Sequence, residues 1–134
     1  MEQQRQLSHV ARAIGAYVAT GTAARVEGVE SGGLVVVLLE ELMDSLDSLG
    51  GALAFEQVVR RNRERGRIDA ILLSLEGSLN SDAGDLSLRL GSIYRKVRGM
   101  VALGVAQNDP DRCKQARGLI EPIAEAWRTV AQVG

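Results

Sequence analysis

The sequence has few of the residues on which catalytic and metal sites depend. It contains one cysteine, one histidine and two prolines among 134 residues. The single cysteine, Cys113, excludes an internal disulfide, and the single histidine, His9, leaves no ligand set for a zinc or di-metal site. No phosphate-binding loop is present, because the glycines of ATGTAARVEG are not followed by Gly-Lys-Ser. We therefore predict neither an enzyme nor a bound cofactor.

Charge and hydropathy do not predict a nucleic-acid or membrane partner. The net charge is −1, so no global field attracts polyanions. No apolar run approaches the roughly 20 residues of a membrane span. Residues 1–21 also lack an apolar core of the length that a signal peptide needs. We expect a cytoplasmic protein.

The stretch SGGLVVVLLEELMDSL, residues 31–46, decides the fold class. Its apolar run includes three valines, which favour strands. The apolar residues nevertheless recur at helical spacings of three and four, and alternation with a period of two is absent. We predict a first helix over residues 32–62 with Ser31 as its N-cap. Its buried stripe is Val35, Leu39, Leu42, Leu46, Leu49 and Leu53.

Two more amphipathic stripes follow the first. An arginine-rich connection, RRNRERGR, leads to a predicted second helix over residues 67–80. The turn NSDAGD then supplies Ser81 or Asp82 as the cap of a third helix over residues 83–107. The predicted buried residues of these two helices are Ile68, Ile71, Leu72, Leu75, Leu79, Leu86, Leu90, Ile93, Val97, Met100 or Val101, and Gly104.

The last helix has a clear start and an internal proline. Asp109 is the predicted N-cap, and Pro110 occupies the first helical position, where its missing N–H is not needed. Pro122 predicts either a kink over residues 117–121 or two helices that meet at Glu121. The predicted buried stripe is Ala116, Leu119, Ile120, Ile123, Trp127 and Val130.

Four amphipathic helices with short links predict an all-α fold, an antiparallel four-helix bundle with an N-terminal capping segment or short helix. We expect one domain over residues 1–134, with residues 1–30 as a leader and residues 31–134 as the bundle. Several glycines fall within the predicted helices, where they either allow close helix packing or occupy tolerant, exposed positions. These are Gly77, Gly91, Gly99, Gly104 and Gly118.

The first helix has more apolar surface than one bundle seam buries. A bundle helix buries about three residues in seven, whereas LVVVLL turns through a full circle, so Leu34, Val37 and Leu38 face away from the seam. Leaving large apolar side chains in water is unfavourable by roughly 1.5–3 kcal/mol each. We expect a cover, either the leader or a partner helix that replaces it. The leader's candidate side chains are Ile14, Tyr17 and Val18.

Two charged clusters have several interpretations. The arginines of residues 60–67 form a solvated loop, pair within the molecule, or contact an acidic partner or RNA. No aromatic residue is interleaved with them to stack on bases, so RNA is the weak alternative, and steep salt dependence would reveal it. Glu40, Asp44 and Asp47 share a helix face, which we interpret as a solvated acidic surface.

The order and spacing of several landmarks resemble the FliS family of flagellin-specific export chaperones. The landmarks are Ala16-Tyr17, LVVVLLEELMDSL, LEGSL at residues 75–79, Ile93-Tyr94, Asn108-Asp109 and Ala126-Trp127. The resemblance implies a cytoplasmic, non-enzymatic chaperone that binds the disordered C-terminal segment of flagellin, prevents premature polymerisation and aids export. It also implies that the region around Tyr17 caps the surface that flagellin occupies.

The predicted partners are therefore the flagellin C-terminal segment and the flagellar export apparatus. As an alternative, the chain is a regulatory or structural bundle that homodimerises through the apolar face of its first helix. We expect a monomer or a weak homodimer, with no membrane or nucleic-acid partner. Tyr94 and Trp127 are predicted core residues, although Tyr94 is kept as a possible contact. The predicted partner-binding residues are Ile14, Tyr17, Val18, Leu34, Val37, Leu38 and Tyr94.

Overall fold

The computed structural model describes residues 24–79 and 84–133, with side chains described for residues 33–79 and 84–130. These residues form four helices and no strand. The helices are α1, Ala24–Ala54; α2, Val58–Gly77; α3, Asp85–Gln107; and α4, Pro110–Val133. The predicted all-α class is confirmed.

Ion pairs between α1 and α4 show that these helices run antiparallel. Glu40 pairs with Arg128 at 3.3 Å, and Asp47 pairs with Arg117 at 3.1 Å. A later residue of α1 therefore pairs with an earlier residue of α4. Each helix packs against its neighbours in the chain, and α4 closes against α1. This arrangement is the predicted four-helix bundle.

The predicted helical stripes fill the interior of the bundle. The five leucines from Leu39 to Leu53 are at most 2% exposed. Buried residues from the other helices are Ile68, Ile71, Leu72, Leu75, Leu86, Leu90, Tyr94, Val97, Val101, Ala116, Leu119, Ile120 and Ile123. Val35, Leu79, Ile93, Met100 and Trp127 are partly buried and pack against this core.

The end of α1 differs from the prediction. The helix ends at Ala54 because Glu56 adopts a φ of 55°, in the left-handed region. The amide of Gln57 donates to the carbonyl of Ala52 over 2.9 Å, which is the bond of a Schellman helix ending. The predicted helix over residues 32–62 is therefore wrong at its C-terminal end. The arginine-rich segment also lies within α2, not in a connection, and α2 starts earlier than predicted.

The start of α1 also differs. The helix begins at Ala24, so Ser31 lies inside it and is not its N-cap. The glycines that follow Ser31 cost roughly 1 kcal/mol each relative to alanine. That cost is too small to stop a helix whose later turns are held by packing. The proposed caps Ser81 and Asp82 lie outside the described residues.

The turn between α3 and α4 is a second Schellman ending joined directly to a helix cap. Asn108 has a φ of 51°, and the amide of Asp109 donates to the carbonyl of Gly104 over 2.8 Å. The side-chain Oδ1 of Asp109 accepts a hydrogen bond from the amide of Asp111 over 3.1 Å. Asp109 is thus the N-cap of α4, with Pro110 at the first helical position. Both predictions are confirmed.

The last helix continues through its internal proline. It runs without a break from Pro110 to Val133, so two helices meeting at Glu121 are not formed. Proline removes one backbone hydrogen bond at a cost of about 3 kcal/mol. The flanking Ile120 and Ile123 are both fully buried. Their packing holds the turns on either side of Pro122 in one helix.

Glu56→Gly is expected to raise the free energy of unfolding by about 1 kcal/mol. A residue with a Cβ costs about 1–2 kcal/mol in the left-handed conformation, and the greater freedom of glycine in the unfolded chain cancels part of the gain. Urea denaturation measures the difference. Glu56→Gln keeps the strain but removes the charge, and should change stability by less than about 0.5 kcal/mol. Equal gains from both variants would show that charge, not backbone geometry, limits stability here.

Candidate partner-binding site

Exposed apolar side chains lie in the first half of α1. Leu34 is 60% exposed and Val37 is 49% exposed, in agreement with the prediction that they face away from the seam. Leu38 is partly buried and packs against the core, so this part of the prediction is wrong. The reason is that Leu38 lies one turn before buried Leu42 and thus at the edge of the same stripe. We call Leu34, Val37 and Leu38 the α1 patch.

Contacts between α1 and α2 show which way the α1 patch faces. Glu41 Oε2 lies 3.8 Å from Arg67 Nη2, and Ser48 Oγ accepts a hydrogen bond from Arg60 Nε over 2.9 Å. Glu41 therefore marks the side of α1 next to α2. The α1 patch precedes Glu41 by three, four and seven positions, spacings that place side chains on the same face. The patch thus lies beside α2.

The facing stretch of α2 carries small residues. The same two contacts show that α1 and α2 run antiparallel, since the later residue of α1 pairs with the earlier residue of α2. When this register is continued toward the start of α1, Leu38 lies opposite Ala70 and Leu34 lies opposite Ser74. Ala70 and Ser74 are both exposed. At Gly77, about one turn farther, no atom lies within 4 Å of the position that a Cβ would occupy. The register thus places the α1 patch beside these three small residues, and we call the surface strip that they form the α1–α2 groove.

Tyr94 does not contribute to this surface. Its side chain is 2% exposed and belongs to the core cluster. Burial, and to a smaller extent the nearby carboxylate of Glu76, raise the pKa of Tyr94 above its ordinary value. The phenol therefore stays neutral at physiological pH. Ile14, Tyr17 and Val18 lie outside the described residues, so their contact with the α1 patch stays a prediction.

Two observations on the described residues concern reactive chemistry, the state of the cysteine and the metal-binding residue types. Cys113 is buried, and its burial and the carboxylate of Asp109 raise the pKa of Cys113 to about 11. It is a neutral thiol at pH 7, whereas a reactive cysteine is a thiolate. Residues 24–79 and 84–133 hold no group of three or more histidine, cysteine or acidic residues suited to a metal ion.

The charged clusters join helices. Glu40 and Asp47, two members of the proposed acidic surface, pair with arginines of α4. In the arginine cluster, Arg60 donates to the side chains of Ser48 and Gln57. Intramolecular pairing thus applies to part of each cluster. Arg61 and Arg65 have no acidic partner within the described part of the chain.

A second exposed apolar group lies at the turn between α1 and α2. Phe55, Val58 and Val59 are 76%, 52% and 81% exposed. Sequence periodicity missed them, because the predicted first helix ran through this turn. The glutamate at the left-handed position gives no sequence signal for the turn. We call these three residues the tip patch.

None of the helices in the described ranges combines the length and the apolar character that a bilayer crossing requires.

Comparison with known families matches residues 13–134 to the family described as flagellar protein FliS. The resemblance drawn from the landmark residues is therefore confirmed over nearly the whole chain. No curated protein matches the sequence.

Proposed function

Because the chain belongs to the FliS family of flagellar proteins, we propose that it is a cytoplasmic export chaperone that binds the disordered C-terminal segment of flagellin. Binding keeps this segment from polymerising early, and the complex delivers flagellin to the export apparatus. The observation that carries the proposal is the α1–α2 groove, where Leu34 and Val37 stay more than 45% exposed beside small residues of α2.

The groove has the properties that suit a helical segment. An amphipathic helix binds through apolar side chains at positions i, i+3, i+4 and i+7. The α1 patch offers apolar contacts over about one turn and a half of α1. On the opposite side, Ala70, Ser74 and Gly77 leave room for close approach of the bound backbone. A disordered tail that becomes helical on binding fits such a surface.

The free energy gained on burial must exceed the cost of ordering the flagellin segment, which requires a long contact surface. Covering the exposed parts of Leu34 and Val37 yields about 1 kcal/mol each. Ordering a disordered segment costs roughly 2–5 kcal/mol. The α1 patch alone therefore does not produce tight binding. We propose that the segment extends along the α1–α2 groove and contacts apolar surface beyond the α1 patch.

The leader is the proposed competitor for the same surface. Ile14, Tyr17 and Val18 supply apolar side chains in the right part of the sequence to cover the α1 patch. A cover made by the same chain lowers the apparent affinity for flagellin, because binding must displace it. In the absence of flagellin, the cover also keeps the α1 patch from contacting other proteins.

Calorimetric titration with a peptide of the flagellin C-terminal segment tests this proposal. Leu34→Ser and Val37→Ser are each expected to weaken binding about fivefold, since each removes about 1 kcal/mol of apolar contact. Leu88→Ser is the matched control, because Leu88 is 71% exposed but lies on α3. It should leave the affinity unchanged. Tyr17→Ser should tighten binding if the leader is the competitor.

Two results would contradict the proposal. One is the absence of both heat and helix formation when the unmodified protein is titrated with the peptide. The other is equal weakening by Leu34→Ser and Leu88→Ser, which would place the binding surface elsewhere. Circular dichroism of each variant checks that the helical content is unchanged.

The same exposed patch supports a second candidate, a homodimer through α1. A self-complementary apolar face forms a two-fold interface when two copies meet. This candidate predicts a mass in analytical ultracentrifugation that rises with concentration, and a folded monomer for Val37→Asp. A mass that stays monomeric at all concentrations would exclude the homodimer, and flagellin would then be the one proposed ligand of the groove.

A further inference from the structure

The tip patch lies at the opposite end of α1 from the α1 patch and is more exposed. Phe55 and Val59 have 76% and 81% of their surface in water. The left-handed Glu56 forces the chain to turn here, so that Phe55 and Val58 do not continue the buried stripe of α1. Scattered single apolar residues are normal on a surface, whereas a contiguous apolar cluster indicates an interaction site.

Unpaired positive charge adjoins the tip patch. Arg60, Arg63 and Arg67 each have a polar or acidic partner. Arg61 and Arg65 pair with no acid in the described ranges, and the side chain of Arg61 donates only to the neighbouring Asn62. These two arginines are four residues apart on α2 and therefore share a face.

The face of α2 that carries Arg61 and Arg65 meets the tip patch at Val58. Val58 precedes Arg61 by three residues, so its side chain lies on the same face. A concave region of about 360 Å³ adjoins these residues, and its wall also includes residues from α1 and from the end of α3. The full lining is Ala52, Glu56, Gln57, Val58, Arg61 and Asn108. Val58 and the guanidinium of Arg61 thus meet at a hollow at one end of the bundle, and Arg65 lies one turn farther along the same face of α2.

We infer that the tip patch, with Arg61 and Arg65, docks an acidic amphipathic helix of a second protein partner. Apolar side chains of that helix pack on Phe55 and Val58, and carboxylates one turn apart pair with the two arginines. The aromatic anchor supplies most of the affinity. The charges select the partner and speed its association. This inference is independent of the flagellin surface on α1.

Charge excludes the leader as the occupant. Residues 1–23 contain one acid, Glu2, against Arg5 and Arg12, so the leader is not complementary to Arg61 and Arg65. A second copy of the chain does carry exposed acids, such as Asp44 and Glu125. Analytical ultracentrifugation distinguishes this occupant, because a mass that rises with concentration and falls to the monomer in Arg61→Glu/Arg65→Glu would overturn the inference of a separate partner.

Fluorescence anisotropy with two designed peptides tests the inference. Each peptide has about 18 residues with leucines at helical spacing; one carries glutamates at the polar positions and its twin carries lysines. The glutamate peptide should bind the full-length protein at least tenfold more tightly than the twin. Phe55→Ser should weaken that binding at least fivefold. The double variant Arg61→Glu/Arg65→Glu should reverse the preference.

The control changes the same charge elsewhere. Arg95→Glu/Lys96→Glu replaces two exposed cations of α3 and should leave the preference for the glutamate peptide intact. Equal effects of the two double variants would overturn the inference, since they would reflect net charge alone. Binding of neither peptide up to about 1 mM would also overturn it.

An oligouridine RNA and the flagellin peptide complete the experiment. Tighter binding of the RNA than of the glutamate peptide, lost in Arg61→Glu/Arg65→Glu, would assign the surface to nucleic acid and overturn the inference. The flagellin peptide should bind Arg61→Glu/Arg65→Glu as it binds the unmodified protein. If Arg61→Glu/Arg65→Glu no longer bound the flagellin peptide, the two surfaces would not be separate and the inference would be overturned. If the unmodified protein did not bind the flagellin peptide, only the proposed function would be contradicted.

Discussion

Leu46→Ala is expected to lower the free energy of unfolding by about 3–5 kcal/mol. Leu46 is fully buried in the middle of the α1 stripe. Its truncation removes apolar contacts and leaves a cavity that the surrounding helices fill only in part. Domains of this kind have a total stability of about 5–15 kcal/mol. The loss is therefore a large fraction of the whole, and the urea midpoint should fall accordingly.

The control for Leu46→Ala makes the same chemical change on the surface. Leu73 is 67% exposed on α2, so Leu73→Ala should change the unfolding free energy by less than about 0.5 kcal/mol. Urea denaturation followed by circular dichroism measures both variants. A similar loss in both would show that Leu73 is covered in solution, or that Leu46 does not belong to a close-packed core.

Gly104→Val is expected to destabilise the protein by about 1–3 kcal/mol through overpacking. A Cβ at Gly104 would lie 3.1 Å from the Cβ of Arg112 and 3.2 Å from the carbonyl oxygen of Asp109. Neither atom can rotate away, because both are fixed by the turn into α4. The two further carbons of valine increase the overlap. Of the two interpretations of the helical glycines, close packing therefore applies at Gly104.

Gly99→Val provides the comparison for Gly104→Val. Gly99 is on the same helix, but no atom lies within 4 Å of its Cβ position. Valine has a somewhat better helix propensity than glycine, so the variant should be neutral or slightly more stable. Thermal unfolding of both proteins measures the difference. An equal loss of stability in Gly99→Val would show that valine is unfavourable in α3 even where there is open space, and would remove the case for a specific contact at Gly104.

Helix boundaries were predictable only where the chain carries the usual local signals. Asn108, Asp109 and Pro110 combine a residue that tolerates the left-handed conformation with an N-cap and a first-turn proline, and the prediction there was right. At Glu56 the same left-handed conformation is held by a residue that rarely adopts it. The sequence contains no stop at that position, so the first helix was predicted too long.

The candidate site was predictable in part. Six consecutive apolar residues on one helix must exceed the width of a buried stripe, and Leu34 and Val37 are indeed exposed. The burial of Tyr94 agrees with its prediction as a core residue, whereas periodicity did not predict that Leu38 packs against the core. Periodicity shows which face of a helix is the most apolar. Which residues at the edge of that face are buried depends on how closely the next helix approaches.

The sequence by itself determined the helical class, the four buried stripes and the family, because spacings of three and four and the order of landmarks are local properties of the chain. Only the tertiary structure decided where α1 turns into α2, which small residues face Leu34, and that Phe55, Val58 and Val59 remain in water. The physical reason is that burial is a property of pairs of helices, and the register between two helices is set by how their buried side chains pack together.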